Sequence, residues 1–252
     1  MISLKTTDWT INNIETILFD KDGTFIDLHY FWGKMTELRA KATIEHFSLP
    51  SATFKNLCEF LGYNTQTKKM LSDGITAMYS RSKIVELYKS DLEKLSITTT
   101  TEEIEKIFDE VSSEFYKDMT QYTKPIENAI NFIKKVKNLG IKTGIITSDA
   151  KESTDITLKN FGWEKLFDIV IGRESSPHTK ESGVPTLLAL EKLKANPKTT
   201  IMIGDAPMDY ISAKNAGIEN TILVASGQIE KKELSQISNY TLNSLDELLI
   251  QI

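Results

Sequence analysis

Short apolar runs that end in polar loops alternate with amphipathic stretches along much of the chain. The run from Thr16 to Phe19 ends at the acidic turn Asp20-Lys21-Asp22-Gly23-Thr24, a pattern typical of a buried strand that stops at a loop. From Lys124 onward, strand patterns alternate with helix patterns, which predicts a mostly parallel sheet covered by helices. The later predicted strands are 141–147, 167–171, 200–203 and 221–225, and the predicted helices are 125–139, 151–161, 185–193 and 207–216.

The stretch between the first two predicted strands has a different texture. Residues 31–47 and 75–95 carry apolar side chains near helical spacing, and a further helix begins after Thr100 or Thr101, either of which can serve as its N-cap. The sequence therefore predicts a doubly wound, Rossmann-like α/β core with an inserted helical domain. The predicted core consists of residues 1–27 and 124–252, and the predicted insert of residues 28–123.

Composition excludes several classes of function. The 252 residues carry a net charge of −5 without a long block of one sign, which argues against a nucleic-acid partner because such proteins usually present a basic surface. The apolar runs fall far short of the roughly 20 residues of a membrane helix, so no membrane partner is expected. No signal peptide is evident, and Cys58 is the only cysteine. These features predict a cytoplasmic protein without an internal disulfide.

The polar residues that follow the predicted strands indicate chemistry. Ligands of open parallel sheets bind at the carboxyl ends of the strands. Carboxylates gathered there repel one another unless a cation offsets them, and Mg²⁺ suits an all-oxygen site that also receives a phosphate. The residues that follow the strands are Asp20, Asp22, Thr24, Thr147, Ser148, Lys180, Asp205 and Asp209.

These residue types can transfer a phosphoryl group. One carboxylate can attack phosphorus and form an aspartyl-phosphate, while a second carboxyl protonates the leaving oxygen and later deprotonates water. Thr147 can donate a hydrogen bond to a phosphoryl oxygen, and Lys180 can stabilise the charge on the transferring group. Thr24 and Ser148 are further candidates for binding the phosphate.

Four motifs in this order resemble the haloacid dehalogenase (HAD) superfamily. Asp20-Lys21-Asp22-Gly23-Thr24 matches its DxDGT motif, and Thr147 and Lys180 are similar to its second and third motifs. The segment 204–209, Gly-Asp-Ala-Pro-Met-Asp, is similar to its fourth motif, GDxxxD. The helical insert resembles the C1 cap of phosphoglycolate phosphatase-like members, which closes over the site and excludes water.

The resemblance implies a role for each motif residue. Asp20 would be the nucleophile and a Mg²⁺ ligand, and Asp22 the acid/base, with its backbone carbonyl also on the metal. Asp205 would complete the metal site, and Asp209 would bind the metal through water or hold Lys180. A carboxylate at position 22 suits an oxygen leaving group, because members that act as dehalogenases lack it. The implied activity is hydrolysis of a small-molecule phosphate monoester.

Several alternatives stay open at the level of sequence. Lys151 rivals Lys180, because it lies close after the second predicted strand. The third motif, often Lys-Pro, is here Lys180 followed by Glu181, and Ser148 stands where Asn is common. A phosphomutase of the β-phosphoglucomutase type would share every motif. A non-catalytic binding protein on the same fold is a rival from another class. The sequence does not indicate the substrate or the oligomeric state.

Overall fold

The computed structural model describes all 252 residues and divides them into two compact units. One unit comprises Met1–Asp27 together with Pro125–Ile252, and the other comprises Leu28–Lys124. The predicted boundary at 27/28 coincides with this division, and the predicted boundary at 123/124 lies one residue before it.

A six-stranded parallel sheet forms the centre of the first unit, with the strand order β10-β9-β8-β3-β6-β7. From β3 the chain proceeds through β6 and β7 towards one edge, and through β8, β9 and β10 towards the other. This doubly wound order confirms the predicted α/β class and places a topological switch point beside β3. The strands are β3 (Thr16–Phe19), β6 (Lys142–Ile146), β7 (Ile169–Ile171), β8 (Thr200–Gly204), β9 (Asn220–Val224) and β10 (Tyr240–Leu242).

A second, antiparallel sheet was not predicted from the sequence. Its strands β1 (Ile2–Lys5), β2 (Thr10–Ile14) and β11 (Leu249–Gln251) pair in the order β11-β1-β2. The interpretation of the 221–225 run as the last strand is therefore wrong, since β10 and β11 follow it. These strands are short and partly polar, so they lack the continuous apolar run that marks β3 and β8.

Four helices of the first unit follow the predicted pattern closely, and a fifth, α11 (Lys231–Leu234), was not predicted. Helix α7 buries Ile130, Ile133 and Val136 on one face, and Gly140, with φ at +77°, follows its end in the left-handed conformation that terminates helices. Phe132 of the same helix meets Phe19 of β3 edge to face at 6.4 Å between ring centroids. The helices are α7 (Glu127–Asn138), α8 (Lys151–Phe161), α9 (Val184–Leu193), α10 (Pro207–Asn215) and α11 (Lys231–Leu234).

The second unit is mainly helical. The Thr100 side chain accepts a hydrogen bond from the backbone N–H of Glu103 and so caps α5, as the sequence predicted. A two-stranded hairpin, β4 (Tyr63–Asn64) with β5 (Lys69–Met70), interrupts the helices and was not predicted. The helices are α1 (Leu28–His46), α2 (Phe54–Phe60), α3 (Ile75–Met78), α4 (Arg81–Lys94), α5 (Thr101–Lys117) and α6 (Met119–Tyr122).

Tyr88 is one of the largest fully buried side chains of the second unit's core. Its ring is fully buried, its hydroxyl donates a hydrogen bond to Thr43 Oγ1 at 3.0 Å, and Cys58 is buried in the same core as a free thiol. Neither unit contains a helix that is long and apolar enough to cross a membrane.

Candidate active site

Three neighbouring strands, β6, β3 and β8, place Thr147, Asp20 and Asp205 at the carboxyl end of the parallel sheet. The parallel register aligns Phe19 with Ile145 and Ile203, so these strands end at the same level. Asp20 continues this register, since its backbone N–H donates to the Ile203 carbonyl at 2.8 Å. Asp20, Thr147 and Asp205 each follow directly after the end of a strand, as the sequence predicted for this end of the sheet.

The carboxylates of Asp20, Asp205 and Asp209 form a buried cluster in which one oxygen of each lies within 4.8 Å of the others. Asp209 belongs to the first turn of α10, where its Oδ2 accepts a hydrogen bond from the backbone N–H of Ala206 at 3.0 Å. This contact fixes the Asp209 side chain beside the end of β8. Residues from the first and fourth sequence motifs, some 185 positions apart, therefore meet at one point.

Lys180 supplies the positive charge of this cluster. Its Nζ lies 2.5 Å from Asp20 Oδ1 and 2.6 Å from Asp209 Oδ1, and the lysine side chain is almost completely buried. The Lys180 ammonium therefore forms ion pairs with both carboxylates. Lys151, the rival candidate, instead pairs with Asp155 on its own helix. The structure thus brings Lys180, and not Lys151, to the carboxylates.

Burial dominates the electrostatics of the site. It raises the pKa of Asp20 from 3.8 to about 7, with Lys180 opposing the rise and Asp209 adding to it. Burial also raises the pKa of Asp205 well above its ordinary value, and Asp20 and Asp209 act in the same direction. For Lys180, burial alone would lower the pKa, but the carboxylates of Asp20 and Asp209 outweigh it and raise the pKa. The cluster therefore carries more negative charge than one lysine offsets.

Two glycines leave room for the Asp205 carboxylate. A Cβ atom on Gly23 would lie 2.2 Å from Asp205 Oδ2, and one on Gly227 would lie 1.7 Å from the same oxygen. Gly23 also has φ at +85°, a conformation that favours glycine. Ser226 Oγ donates to the Gly23 carbonyl at 2.6 Å and so joins the two loops that carry these glycines.

The hydroxyl residues differ in their surroundings. Thr147 is buried, and its Oγ1 accepts a hydrogen bond from the backbone N–H of Asp149 at 3.0 Å, which leaves its own O–H to donate. Thr24 is also buried, and its Oγ1 has no hydrogen-bond partner. Ser148 is exposed and donates to Met208 Sδ at 3.4 Å, so it does not join the carboxylate cluster.

A second ion-pair group lies beside the first and was not predicted as a unit. Lys21, fully buried, places its Nζ 2.7 Å from Asp22 Oδ1 and 3.1 Å from Asp149 Oδ2. Burial alone would lower the pKa of Lys21, but the carboxylates of Asp22 and Asp149 outweigh it and raise the pKa. The only signal in the sequence was a lysine between the two aspartates of the first motif.

The carboxylate cluster fits a hard divalent cation. All three side chains offer oxygen ligands, which Mg²⁺ prefers, and the oxygens are close enough to share one ion. Burial and the repulsion between the carboxylates raise the pKa values of Asp20 and Asp205, and a divalent cation would offset both effects, so these residues fit such an ion. Asp22 is not part of this side-chain cluster, and its predicted contribution to a metal is its backbone carbonyl.

Comparison with known proteins identifies the family to which the chain belongs. The chain matches the family described as haloacid dehalogenase-like hydrolase over residues 17–224. The protein named "Putative pyrophosphatase PpaX" of Caldanaerobacter subterraneus subsp. tengcongensis is 33% identical over 132 residues, which are 49% of this chain and 60% of that protein. The phosphoglycolate phosphatase of Aquifex aeolicus is 25% identical over 236 residues, 94% of this chain and 95% of that protein.

A solved structure extends the likeness to the fold. The "putative beta-phosphoglucomutase" from Thermotoga maritima has a TM-score of 0.69 at 20% sequence identity and covers 93% of this chain and 96% of its own. At that identity the likeness concerns the fold alone.

The chain belongs to the haloacid dehalogenase-like hydrolase family, since the family match covers most of its length, from the second residue of β3 to the end of β9. Relatives that match nearly the whole chain carry the names phosphoglycolate phosphatase and pyrophosphatase PpaX, and with the family match they support a hydrolase of the phosphatase kind. The family match confirms the resemblance drawn from the motifs.

Proposed function

We propose that this protein is a Mg²⁺-dependent phosphatase that hydrolyses a small-molecule phosphate monoester through an aspartyl-phosphate on Asp20. The main observation behind the proposal is that Asp20 lies close to Lys180, Asp205 and Asp209 at the carboxyl end of the parallel strands. A buried carboxylate nucleophile beside a lysine and an oxygen-rich cation site suits phosphoryl transfer through a covalent aspartyl-phosphate.

In the first step, an Asp20 carboxylate oxygen attacks phosphorus, and the bond from phosphorus to the ester oxygen breaks. The electron pair of that bond goes to the ester oxygen, which takes a proton from the Asp22 carboxyl. In the second step, Asp22 accepts a proton from water, and the water oxygen attacks phosphorus, which releases inorganic phosphate and restores Asp20. Both proton transfers use the same carboxyl group.

Other residues of the chain bind the phosphoryl group and balance its charge. We assign the Thr147 hydroxyl as a donor to a phosphoryl oxygen, with Thr24 and Ser148 as further contacts of the phosphate. Lys180 neutralises part of the charge on Asp20 and on the transferring group. Asp20, Asp205, Asp209 and the Asp22 carbonyl would hold Mg²⁺, which supplies positive charge against the phosphoryl oxygens when bound.

We propose the first unit as the catalytic core and residues 28–123, nearly the whole second unit, as a cap that controls access and substrate choice. The names of the relatives suggest phosphoglycolate and pyrophosphate as the first compounds to test. We propose a small-molecule phosphate as the partner, with neither nucleic acid nor membrane involved. A cytoplasmic location is proposed as well, in keeping with the lone, buried Cys58.

A phosphomutase is the second candidate, since the fold resembles that of a "putative beta-phosphoglucomutase". It would return the phosphoryl group to a sugar instead of to water. The named relatives that are similar along nearly the whole chain are phosphatases, which favours water as the acceptor.

The test is phosphate release from p-nitrophenyl phosphate, phosphoglycolate, pyrophosphate and a panel of sugar phosphates, with Mg²⁺ and then with EDTA. We expect release that depends on Mg²⁺ and one preferred metabolite. Asp20→Asn should abolish turnover, and retained activity in this variant would remove Asp20 as the nucleophile. Interconversion of sugar phosphates without phosphate release would favour the mutase instead.

A further inference from the structure

Lys21 occupies an unusual place for a lysine. It lies between the two aspartates of the first motif, its side chain is fully buried, and its ammonium group sits between the carboxylates of Asp22 and Asp149. A buried ammonium is costly unless it is paired and hydrogen-bonded, so this side chain is held in place by its two carboxylate partners. Its position is therefore well defined.

Asp149 is anchored independently of Lys21. Its Oδ1 accepts a hydrogen bond from the backbone N–H of Ala150 at 2.7 Å, and its Oδ2 accepts one from Ser153 Oγ at 2.8 Å. Both donors lie at the start of α8, directly after the loop that follows β6. Asp149 thus forms a fixed point at the end of the strand next to β3, and Lys21 extends from that point to Asp22.

The loop that carries Lys21 is equally constrained. The Lys21 carbonyl accepts hydrogen bonds from the backbone N–H groups of Phe25 and Ile26, both at 3.1 Å, and the Gly23 N–H donates to the Ile26 carbonyl at 2.8 Å. The backbone beneath Asp22 is thereby fixed. What remains is rotation of the Asp22 side chain, and the 2.7 Å hydrogen bond from Lys21 Nζ to Asp22 Oδ1 restricts that rotation.

The two buried lysines hold different carboxylates. Lys180 pairs with Asp20 and Asp209, the proposed nucleophile and a proposed metal ligand, whereas Lys21 pairs with Asp22, the proposed acid/base. A general acid must present its proton within hydrogen-bond reach of the leaving oxygen, and a carboxyl that rotates freely does so only part of the time.

We propose that Lys21, anchored by Asp149, is a positioning residue that orients the Asp22 carboxyl for proton transfer to the leaving oxygen. This inference rests on the proposed function, because it requires Asp22 to be the acid of a phosphatase. The predicted signature is a dependence on the leaving group. An alkoxide needs the proton as its bond to phosphorus breaks, whereas p-nitrophenolate leaves without one.

The experiment measures kcat/KM for phosphate esters with leaving groups from p-nitrophenol to simple aliphatic alcohols, because kcat/KM reports steps up to departure of the alcohol. Lys21→Met should lower kcat/KM for alkyl esters at least about tenfold more than for p-nitrophenyl phosphate, since general acid catalysis contributes about 10²–10⁴-fold and a misoriented acid loses part of it. Asp22→Asn should likewise lower kcat/KM more for alkyl esters than for p-nitrophenyl phosphate. A general loss of packing would instead lower kcat/KM for all esters by the same factor.

Two further variants complete the design. Lys21→Met combined with Asp149→Asn leaves no unpaired buried carboxylate at position 149, so it provides the test if the single variant does not fold, and it should show the same steep dependence. Lys137→Met is the control: Lys137 pairs with Asp168 at 2.5 Å, and Asp168 also accepts from the backbone N–H of Thr143 at the opposite end of β6. It should keep the wild-type dependence.

The outcomes separate the two claims. The positioning role is supported if the Lys21 variants, like Asp22→Asn, lose more kcat/KM for alkyl esters than for p-nitrophenyl phosphate. A steep dependence for Asp22→Asn with an unchanged dependence for both Lys21 variants overturns the role of Lys21 and leaves the phosphatase standing. If Asp22→Asn changes kcat/KM by the same factor for alkyl esters and for p-nitrophenyl phosphate, Asp22 is not the acid, and the Lys21 proposal is overturned with it. Failure of the wild-type protein to release phosphate from any ester overturns both.

Discussion

Lys180 Nζ lies 2.5 Å from Asp20 Oδ1, although the two residues are 160 positions apart in the chain. Both side chains are largely buried, and Lys180 also contacts Asp209. Removing one partner of such a group leaves the others as buried, uncompensated charges. Lys180 therefore has a part in both the stability of the site and the proposed chemistry.

We expect Lys180→Met to lower kcat for the preferred ester by about 10²-fold or more, the scale seen when a group that stabilises transition-state charge is removed. The variant should also unfold at lower urea concentration, because Asp20 and Asp209 lose their counter-charge. Steady-state kinetics and urea unfolding measure the two effects. Lys151→Met is the matched control, since its exposed pair with Asp155 contributes little. Activity lost in the Lys151 variant and kept in the Lys180 variant would reverse the assignment.

Gly227 offers a steric test of the proposed metal site. An alanine Cβ there would overlap Asp205 Oδ2, so the carboxylate must move. We expect Gly227→Ala to raise the Mg²⁺ concentration for half-maximal activity by about tenfold, as disturbed support of a metal ligand typically does. Titration of activity with Mg²⁺ measures the shift.

Gly144→Ala is the control for that substitution. Its Cβ would lie 2.8 Å from Ile169 Cγ2 and 2.9 Å from Leu18 Cδ2, within the packing of the sheet and remote from Asp205. It should cost about 1–3 kcal/mol of stability through overpacking, with an unchanged Mg²⁺ requirement. An equal shift in Mg²⁺ requirement for both variants would argue that general destabilisation, and not displacement of Asp205, is the cause.

The parallel sheet could be predicted because its strands are buried on both faces. All residues of β3 and β8 are buried, so each strand reads as a continuous apolar run that ends at a carboxylate. The sequence did not predict β1, β2 and β11, because part of each strand faces solvent and interrupts the apolar pattern. Their stability depends on pairs such as Leu4 with Ile250, which lie at opposite ends of the sequence.

The sequence likewise predicted one part of the candidate site and missed another. Asp20, Asp205 and Asp209 follow strand ends, and the ends of parallel strands converge whatever their separation in sequence. The pairing of Lys21 with Asp149 did not follow from any pattern. It depends on the direction of a buried lysine side chain, and lysine is a residue that sequence reasoning normally places at the surface.

Proton competition should make Mg²⁺ binding depend on pH. The raised pKa of Asp20, about 7, and the raised pKa of Asp205 mean that the metal-free folded protein holds protons there that the unfolded chain has lost. Stability without metal therefore falls as pH rises from about 4 towards 7. Mg²⁺ requires the deprotonated carboxylates, so its stabilising effect grows over the same range.

We thus expect Mg²⁺ to raise the melting temperature more at pH 8 than at pH 5. Thermal unfolding with and without Mg²⁺ at several pH values measures this difference. Asp205→Asn should reduce the increase at pH 8 without a comparable loss at pH 5. An increase of equal size at both pH values would contradict the linkage between protonation and metal binding.

Arg39 gives a prediction for the second unit. Its side chain is buried, its Nε has no hydrogen-bond partner, and its guanidinium carbon lies 4.5 Å from the centroid of the Phe108 ring. Burial, and then the nearby Arg81, lower the pKa of Arg39 to about 9, so the group stays charged at neutral pH. The attraction of the ring, about 1–2 kcal/mol, is smaller than the several kcal/mol that burial of an ion costs.

Arg39→Met keeps the apolar stem and removes the charge, so we expect the free energy of unfolding to rise by about 1 kcal/mol or more. Arg81→Met is the comparison: Arg81 pairs with Asp109 at 2.8 Å and is partly exposed, so its loss should leave stability the same or slightly lower. Urea unfolding of both variants measures the difference. A marked loss of stability in Arg39→Met alone would show that the guanidinium stabilises the core through Phe108 by more than its desolvation costs.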